Sequence, residues 1–294
     1  MPASIVSVKP VVLPVPGTGG SGRGEDLQVR VSAPLLGTDL PVVVLSHGYG
    51  WSLDGYAPLA DHWAAHGFVV LQPTHLDSRT LGIPADDPRT PRIWRLRIED
   101  VVRVLDSLDV LVSAVPGLPG RVDPSRIAVA GHSWGGQTVG TLLGARVLTD
   151  PDEDFSDPRV TAGVLLATAG LGDDLTPYAA EQLPFMRPSF TTMTPPVLVV
   201  AGDHDQSHLS TRGPDWFTDP YTNSPGPKGL LTVFGAEHSL GGIVGHEAAE
   251  TTDESPERVA LIQRVSTGFL RGALGISGEM WAEEPGELGK LEWK

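Results

Sequence analysis

The chain has 294 residues, of which 40% are hydrophobic and 6% aromatic, and it contains no cysteine. This length allows one large domain or two small ones, each with a sizeable core. The formal net charge of −15 disfavours nucleic acid and anionic membranes as partners, because a strongly negative protein repels polyanions. The lack of cysteine excludes disulfides, thiol nucleophiles and cysteine-ligated metal ions.

The N-terminal segment and the apolar runs bear on the cellular compartment. Residues 1–10 lack the basic stretch and the apolar core of a secretory signal. No uninterrupted apolar run approaches the ~20 residues that a membrane span requires. We therefore expect a protein without a membrane span, cytoplasmic by default, with secretion after removal of an upstream leader as the alternative.

The first elements in chain order are strands. Two apolar, β-branched stretches, 5–14 and 27–34, flank a glycine-rich turn and predict an antiparallel pair. Residues 41–46 are apolar throughout, which is typical of a strand buried on both faces of a parallel sheet. Helical spacing of apolar residues over 56–64 predicts a helix, and 68–71 predicts the next strand.

Strands and helices continue to alternate along the rest of the chain. Residues 74–93 show no periodicity and are predicted as a loop. Further helices are predicted over 98–111, 137–147 and 256–274, and further strands over 127–130, 161–167, 197–201 and, as the last one, 230–234. This order predicts an α/β fold with a doubly wound, mainly parallel central sheet and helices on both faces. No linker or repeat interrupts the pattern, so we expect a single domain over residues 1–294.

Two connections, 171–196 and 206–228, are longer than the ordinary loops of a compact domain. Segments of this length are usually functional. We expect them to form a lid or the walls of a pocket.

Residues 131–135, GHSWG, match the pattern G-x-S-x-G. The pattern is weak by itself, but here a predicted strand leads directly into it and a predicted helix follows. A sharp strand–turn–helix with small residues on either side projects the serine from the edge of the sheet. Ser133 is therefore the candidate nucleophile. The alternative is a glycine-rich turn with an ordinary surface serine.

The block GHSWGG, together with the upstream segment HGYG at 47–50, resembles the α/β-hydrolase family, and the resemblance covers residues 41–274. These motifs look like those of the branch that holds platelet-activating-factor acetylhydrolases, chlorophyllases and polyester-degrading cutinases. The resemblance implies a serine esterase that acts on a small-molecule ester without a cofactor.

The resemblance also implies a catalytic triad in the chain order serine, acid, histidine. The family pattern of a glycine, two residues and then the acid places the acid at Asp205, just after the strand 197–201. Asp203 is the competing candidate. The base falls on His238 in the loop after the last predicted strand, and His246, eight residues further on, is less well placed.

Attack by a serine on a carbonyl creates an oxyanion, which needs hydrogen-bond donors fixed in advance. The resemblance implies the backbone N–H groups of Trp134 and Tyr49, with Gly48 as the less favoured second donor. Candidate substrate contacts near these loops are Gly48, Trp51, His75, Phe185 and Met186, with Trp216 and Phe217 in the second long connection. For each of these residues, packing within its own loop is an equally good explanation.

A metal site is the main competing chemistry. Asp203, His204, Asp205 and His208 form a cluster of possible ligands within six residues. The expected triad already accounts for Asp205, and the sequence has no second ligand cluster. We therefore expect catalysis without a metal ion.

The favoured function is hydrolysis of a carboxylic ester through an acyl-enzyme, with His238 as the base and Asp205 holding the imidazole in its productive tautomer. Hydrolysis of a lactone, a carbamate or a carbon–carbon bond uses the same triad and stays open. A non-catalytic small-molecule binder would be expected to have lost a triad residue, and none is missing. Apolar segments over the serine narrow access, so we expect a small to medium, largely apolar substrate with an acyl chain of about two to eight carbons.

Overall fold

The structure is a computed structural model that describes residues 3–15, 22–245, 248–276, 278–281 and 283–294. Its strands are β1 (Ile5–Leu13), β2 (Leu27–Pro34), β3 (Leu40–Ser46), β4 (Val69–Pro73), β5 (Val122–His132), β6 (Arg146–Val147), β7 (Val160–Leu166), β8 (Pro188–Ser189), β9 (Val197–Gly202), β10 (Lys228–Val233) and β11 (Gly289–Trp293). Its α-helices are α1 (Ala57–Ala65), α2 (Ile93–Asp106), α3 (Leu108–Ser113), α4 (Trp134–Leu142), α5 (Pro177–Gln182), α6 (Asp219–Thr222) and α7 (Pro256–Ala273).

Nine strands form one central sheet in the order β1-β2-β4-β3-β5-β7-β9-β10-β11. The six strands from β4 to β10 in this order run parallel, while β1, β2 and β11 pair antiparallel with their neighbours. Helix α1 packs with α7, and α2 packs with α4. Right-handed crossovers place these two pairs on opposite faces, because the chain reverses direction across the sheet after β4. The predicted α/β fold with N-terminal antiparallel strands is confirmed.

The apolar runs seen in the sequence are the centre of this sheet. Every residue of β3, β4 and β9 is buried. A parallel strand covered by helices on both faces has no solvent side, so its sequence shows no polar alternation. This burial fixes the carboxyl ends of the strands, where the candidate site residues lie.

The boundaries of three predicted elements are wrong. The strand at 228–233 is not the last one, because Gly289–Trp293 adds a short, partly charged edge strand that lacks a continuous apolar run. The helix predicted over 137–147 ends at Leu142, and 146–147 instead pairs with 188–189 in a separate two-stranded sheet. The helix predicted over 98–111 is two helices that meet at Ser107.

The two long connections are partly regular in structure. The connection 171–196 contains α5 and β8, and 206–228 contains α6 and extends to the first residue of β10. Among the residues that the structure describes, no helix combines the length and the apolar character that crossing a membrane would require.

Candidate active site

Ser133 lies in the sharp turn between β5 and α4, which we call the nucleophile elbow (residues 131–135). Its backbone has φ 53° and ψ −119°, a strained conformation for a residue with a side chain. A Cβ on Gly131 would lie 2.2 Å from the carbonyl oxygen of Gly135, and one on Gly135 would lie 2.1 Å from that of Ser46. Only glycine fits at these two positions, so the motif permits the turn that projects Ser133 from the sheet.

Ser133, His238 and Asp205 form a continuous hydrogen-bonded chain. Nε2 of His238 lies 2.9 Å from Oγ of Ser133, and Nδ1 lies 2.9 Å from Oδ2 of Asp205. Asp205 is fully buried, whereas the His238 side chain is 43% exposed. The competing acid, Asp203, is partly exposed and accepts a hydrogen bond from the Gly235 N–H at 2.6 Å. The other candidate base, His246, lies outside the described residues.

The carboxylate of Asp205 lies in an environment that disfavours its negative charge. Burial raises the pKa of Asp205, the carboxylates of Asp253 and Glu237 raise it further, and the hydrogen bond from His238 opposes them. Oδ1 of Asp205 is buried without a hydrogen-bond partner among the described residues. The His238 ring is therefore the main group that compensates this carboxylate, and their interaction is strengthened by the low local dielectric.

The loop that carries His238, which we call the base loop (residues 235–241), is held by a neighbouring segment. Oδ2 of Asp253 accepts hydrogen bonds from the N–H groups of Glu237 and Gly241, both at 2.9 Å. The guanidinium of Arg258 donates to the carbonyl of Phe234 at 2.8 Å. These bonds fix the backbone on both sides of His238.

The oxyanion loop (residues 47–50) offers one free backbone donor next to the elbow. Within the described chain, no protein acceptor pairs with the N–H of Tyr49 or Trp134, and both residues line the same cavity as Ser133. The N–H of Gly48 is occupied, because it donates to the hydroxyl of Tyr56 at 3.0 Å.

The peptide between Gly48 and Tyr49 has a fixed orientation. The carbonyl of Gly48 accepts a hydrogen bond from Nδ1 of His47 at 2.7 Å and from the N–H of Trp51 at 3.2 Å. In a planar trans peptide the N–H points opposite to the C=O. The Tyr49 N–H is therefore directed away from these partners and is left available.

A cavity of about 1070 Å³ opens over Ser133. Its apolar lining residues include Leu76, Ile83, Trp94, Phe185, Met186, Leu209, Trp216 and Phe217. One wall is a row of aromatic rings. The ring centroid of Trp134 lies 5.4 Å from those of Tyr49 and Phe185, and the centroid of Phe185 lies 5.9 Å from that of Trp94. Phe217 also lines the cavity, and its ring centroid is 5.6 Å from that of His238. No lysine or arginine is among the lining residues in the part of the chain that the structure describes.

The structure brings some of the predicted contact residues to the cavity and not others. Phe185 and Met186 line it, whereas Gly48, Trp51 and His75 do not. Trp51 packs edge-on against Tyr56 with ring centroids 6.1 Å apart.

His75 is fully buried, although the sequence suggested that it faces the rim of the site. Its ring bonds to Ser46 and to Asp100 on α2, each at 2.9 Å. No local sequence pattern reveals this contact, because Asp100 is 25 residues from His75 along the chain.

Several lining residues were not identified from the sequence. Leu76 and Ile83 come from the segment 74–93, for which the sequence predicts a loop without a functional role. Trp94 follows this segment at the start of α2. The signal that could have found them is the length of that segment, because long aperiodic connections in compact domains are usually functional.

The residues considered as metal ligands are not arranged around a common point. Asp205 faces His238, and Asp203 faces Gly235. In residues 3–15, 22–245 and the three described segments that follow, no three His, Asp or Glu side chains are placed to hold a metal ion.

The alpha/beta hydrolase family model matches residues 43–237, more than half of the chain. The chain therefore belongs to the alpha/beta hydrolase family.

Known proteins similar to the chain include chlorophyllase-2 of Arabidopsis thaliana, 26% identical over 209 residues that cover 64% of this chain and 60% of that protein. Platelet-activating factor acetylhydrolase of Cavia porcellus is 22% identical over 290 residues, covering 83% and 60%. Cutinase est2 of Thermobifida alba is 27% identical over 199 residues, covering 67% and 52%. The chain thus spans between about half and three fifths of these curated relatives. The branch indicated by GHSWGG and HGYG is confirmed.

Proposed function

We propose that this chain is a carboxylic-ester hydrolase in which Ser133 is the nucleophile, His238 the general base and Asp205 the acid. The observation that carries the proposal is the hydrogen-bonded chain from buried Asp205 through His238 to Ser133, which ends at the cavity. A serine hydroxyl is a weak nucleophile until an adjacent base removes its proton. This arrangement supplies that base in hydrogen-bonding contact.

The positions of the protons follow from the partners. An ionised Asp205 can only accept, so Nδ1 of His238 carries the ring proton and donates it to Oδ2. Nε2 is then the acceptor for the Ser133 hydroxyl. This is the tautomer that general-base catalysis requires.

Two backbone N–H groups, those of Tyr49 and Trp134, would bind the oxyanion. Both residues line the cavity beside Ser133, and neither N–H has a protein partner among the described residues. Gly48 is the poorer candidate, since its N–H already bonds to Tyr56. Donors that are fixed before the reaction cost no reorganisation when charge develops.

The proposed reaction has two halves. Oγ of Ser133 attacks the ester carbon while its proton passes to Nε2 of His238, which gives a tetrahedral oxyanion. The C–O bond to the alcohol then breaks, and His238 returns the proton to the departing oxygen, leaving an acyl-enzyme. Water attacks the acyl carbon by the same proton path, so that the carboxylic acid and free Ser133 are released.

The cavity favours a neutral, largely apolar ester. Its volume is at the upper end of the range for pockets that enclose drug-sized ligands. Its described lining has no lysine or arginine that could pair with a substrate carboxylate or phosphate. One relative is named an acetylhydrolase, and we extend ester hydrolysis, though not that protein's substrate, to this chain.

The two parts of the ester would lie on opposite sides of Ser133. The alcohol must leave beside His238, which protonates it, and Phe217 packs against that ring at 5.6 Å. The acyl chain would then lie along the aromatic wall of Trp134 and Phe185. The connection 171–196 would accordingly control acyl size, and 206–228 would control the alcohol.

Labelling and steady-state kinetics test the proposed function. A fluorophosphonate should label Ser133 stoichiometrically, and p-nitrophenyl esters should give a burst of p-nitrophenol followed by slower turnover. Across acyl chains from acetate to palmitate, kcat/KM should peak at about two to eight carbons, because each methylene gains only ~0.8 kcal/mol while it fits. Labelling elsewhere, or turnover by Ser133→Ala at the wild-type rate, would refute the mechanism.

A pair of matched variants tests the two sides of the cavity. Phe185→Ala should shift the preferred acyl length and change the deacylation rate. Phe217→Ala should change acylation and the preference for the alcohol more than deacylation, because the alcohol has left before deacylation begins and only the contact with His238 remains. Equal effects of both variants on deacylation would contradict the assignment.

A further inference from the structure

The hydroxyl of Tyr56 is buried where three parts of the site meet. Its oxygen lies 3.0 Å from the backbone nitrogen of Gly48 and 2.8 Å from Nδ1 of His132. The second ring nitrogen of His132, Nε2, lies 2.8 Å from the carbonyl oxygen of His238. These partners belong to the oxyanion loop, the nucleophile elbow and the base loop, so one side chain connects all three.

A single arrangement of protons satisfies every bond in this chain. The carbonyl of His238 can only accept, so the proton of His132 is on Nε2 and its Nδ1 is an acceptor. The Tyr56 hydroxyl therefore donates to Nδ1, and its oxygen accepts from the N–H of Gly48. Because the donor and the acceptor of each hydrogen bond are determined, no other hydrogen-bond pattern of the same groups would allow the three loops to shift.

Burial keeps both side chains in the required protonation state. It lowers the pKa of His132 to about 3, assisted by the nearby His238, and it raises the pKa of Tyr56. At neutral pH His132 is thus uncharged and the Tyr56 hydroxyl keeps its proton.

Steric fit and backbone strain also indicate that the contact is built closely into the fold. A Cβ on Gly48 would lie 2.9 Å from the Tyr56 hydroxyl and 3.1 Å from Nδ1 of His132. Tyr56 itself has φ 63°, a left-handed conformation that is unfavourable for an aromatic residue. Its N–H donates to the carbonyl of Val244 at 2.9 Å, which holds the residue in place.

We propose that Tyr56 is a positioning residue that sets the oxyanion donor and the general base relative to Ser133. This inference rests on the proposed function. Through Gly48 the hydroxyl holds the backbone next to the Tyr49 N–H, and through His132 it holds the main chain of His238. Neither Tyr56 nor His132 touches the substrate, since neither lines the cavity.

Tyr56→Phe tests this role, because it removes the hydroxyl and keeps the ring that packs in the core. The main readout is the second-order rate of fluorophosphonate labelling at Ser133, which needs the base and the oxyanion donors but no particular ester. We expect this rate and kcat to fall by about ten- to a hundred-fold, since small displacements of reacting groups have effects of this size. KM should change by less than about threefold.

Two further variants make the test specific. Tyr221→Phe is the matched control, because Tyr221 is a partly buried tyrosine that does not line the cavity, and it should behave as wild type. His132→Gln breaks the same network from the other side and should slow labelling similarly. The double variant with Tyr56→Phe should be no slower than the worse single variant, because both remove one network.

The outcomes separate the inference from the proposed function. If Tyr56→Phe is folded and labels at the wild-type rate, or loses rate only in proportion to its unfolded fraction, the positioning role is refuted and the esterase proposal stands. If Ser133 of the wild type is not labelled at all, the proposed function fails and this inference fails with it. If Tyr56→Phe does not fold, His132→Gln decides by the same criteria.

Discussion

The described part of the molecule contains two Ser–His–Asp hydrogen-bonded chains with the same distances. One is Ser133–His238–Asp205 at the cavity, and the other is Ser46–His75–Asp100 inside the fold. In each chain both hydrogen bonds of the histidine are 2.9 Å. The residue types and the hydrogen-bond distances within the two chains are therefore equal, and any chemical difference must come from the surroundings.

The surroundings differ in access and in charge. Ser133 sits on a strained turn that faces the cavity, whereas Ser46 ends the buried strand β3 and His75 has no exposed surface. Asp100 also accepts a hydrogen bond from Arg23 at 2.6 Å. Burial and the neighbouring Arg97 guanidinium lower the pKa of His75 well below its usual value.

These differences predict that only the open chain makes its serine a nucleophile. A general base must accept a proton, and His75 would have to do so in a dry site near two guanidinium groups. A nucleophile also needs room for a substrate and donors for the oxyanion, and the cavity lining includes Ser133 but not Ser46. The buried chain is therefore a structural network that joins β3, the segment after β4 and α2.

The largest expected difference between the two chains is at the serines. Ser133→Ala should lower kcat by about 10⁶-fold, as removal of the nucleophile does in a serine protease. Ser46→Ala should keep kcat/KM within about threefold and cost about 1 kcal/mol of stability for the lost hydrogen bond. Hydrolysis of p-nitrophenyl butyrate and thermal unfolding measure both. Loss of activity in Ser46→Ala with wild-type folding would show that the buried chain takes part in the chemistry.

A smaller effect on rate is expected from the acid of the open chain. Asp205→Asn should lower kcat by about 10⁴-fold, because it leaves His238 without the partner that selects its tautomer. Asp203→Asn is the matched control and should have little effect, since among the described residues its carboxylate contacts only the Gly235 N–H and, at 3.8 Å, the exposed His204. The reverse ranking would transfer the acid role to Asp203.

The acid of the buried chain should instead affect stability. Asp100→Asn should lower the free energy of unfolding by about 3–5 kcal/mol, because it leaves the buried Arg23 without its counter-charge. Urea denaturation measures this loss. An equally large loss of stability in Asp205→Asn would remove the distinction between the two acids.

The smallest effect concerns the pH dependence of stability near the buried chain. Nε2 of His47 accepts the N–H of His75 at 2.9 Å, and burial lowers the pKa of His47 to about 4. In the unfolded chain His47 takes up a proton near pH 6.5, whereas in the folded protein it does so only near pH 4. The contribution of His47 to the free energy of unfolding is therefore complete above pH 6.5 and is lost as the pH falls towards 4.

His47→Gln should lower the slope of the free energy of unfolding against pH between 4 and 6.5 by up to about 1.4 kcal/mol per pH unit. A residual slope should persist, because burial also lowers the pKa of His75 and His132. The control variant is His204→Gln, because the His204 side chain is 68% exposed. Identical slopes in His47→Gln and wild type would show that His47 is not held neutral by the fold.

The sequence by itself determined the parallel sheet, the elbow at Ser133 and the family. The strands β3 and β9 are continuous apolar runs, and the elbow needs only a strand, a helix and glycines at 131 and 135. Each of these signals is contained within about ten consecutive residues, where local sterics and burial periodicity act directly. The edge strand β11 lacked such a signal, because an exposed edge tolerates polar residues.

Only the tertiary structure decided which side chains meet. Asp203 and Asp205 both follow β9, and the fold directs one to the Gly235 N–H and the other to His238. The His75 ring is buried and bonds to Asp100 instead of lining the cavity. Tyr56 reached His132, which is 76 residues away. A local pattern records which residues are buried, but the partner that satisfies a buried polar group is chosen by the packing of distant segments, so it can be read only from the folded chain.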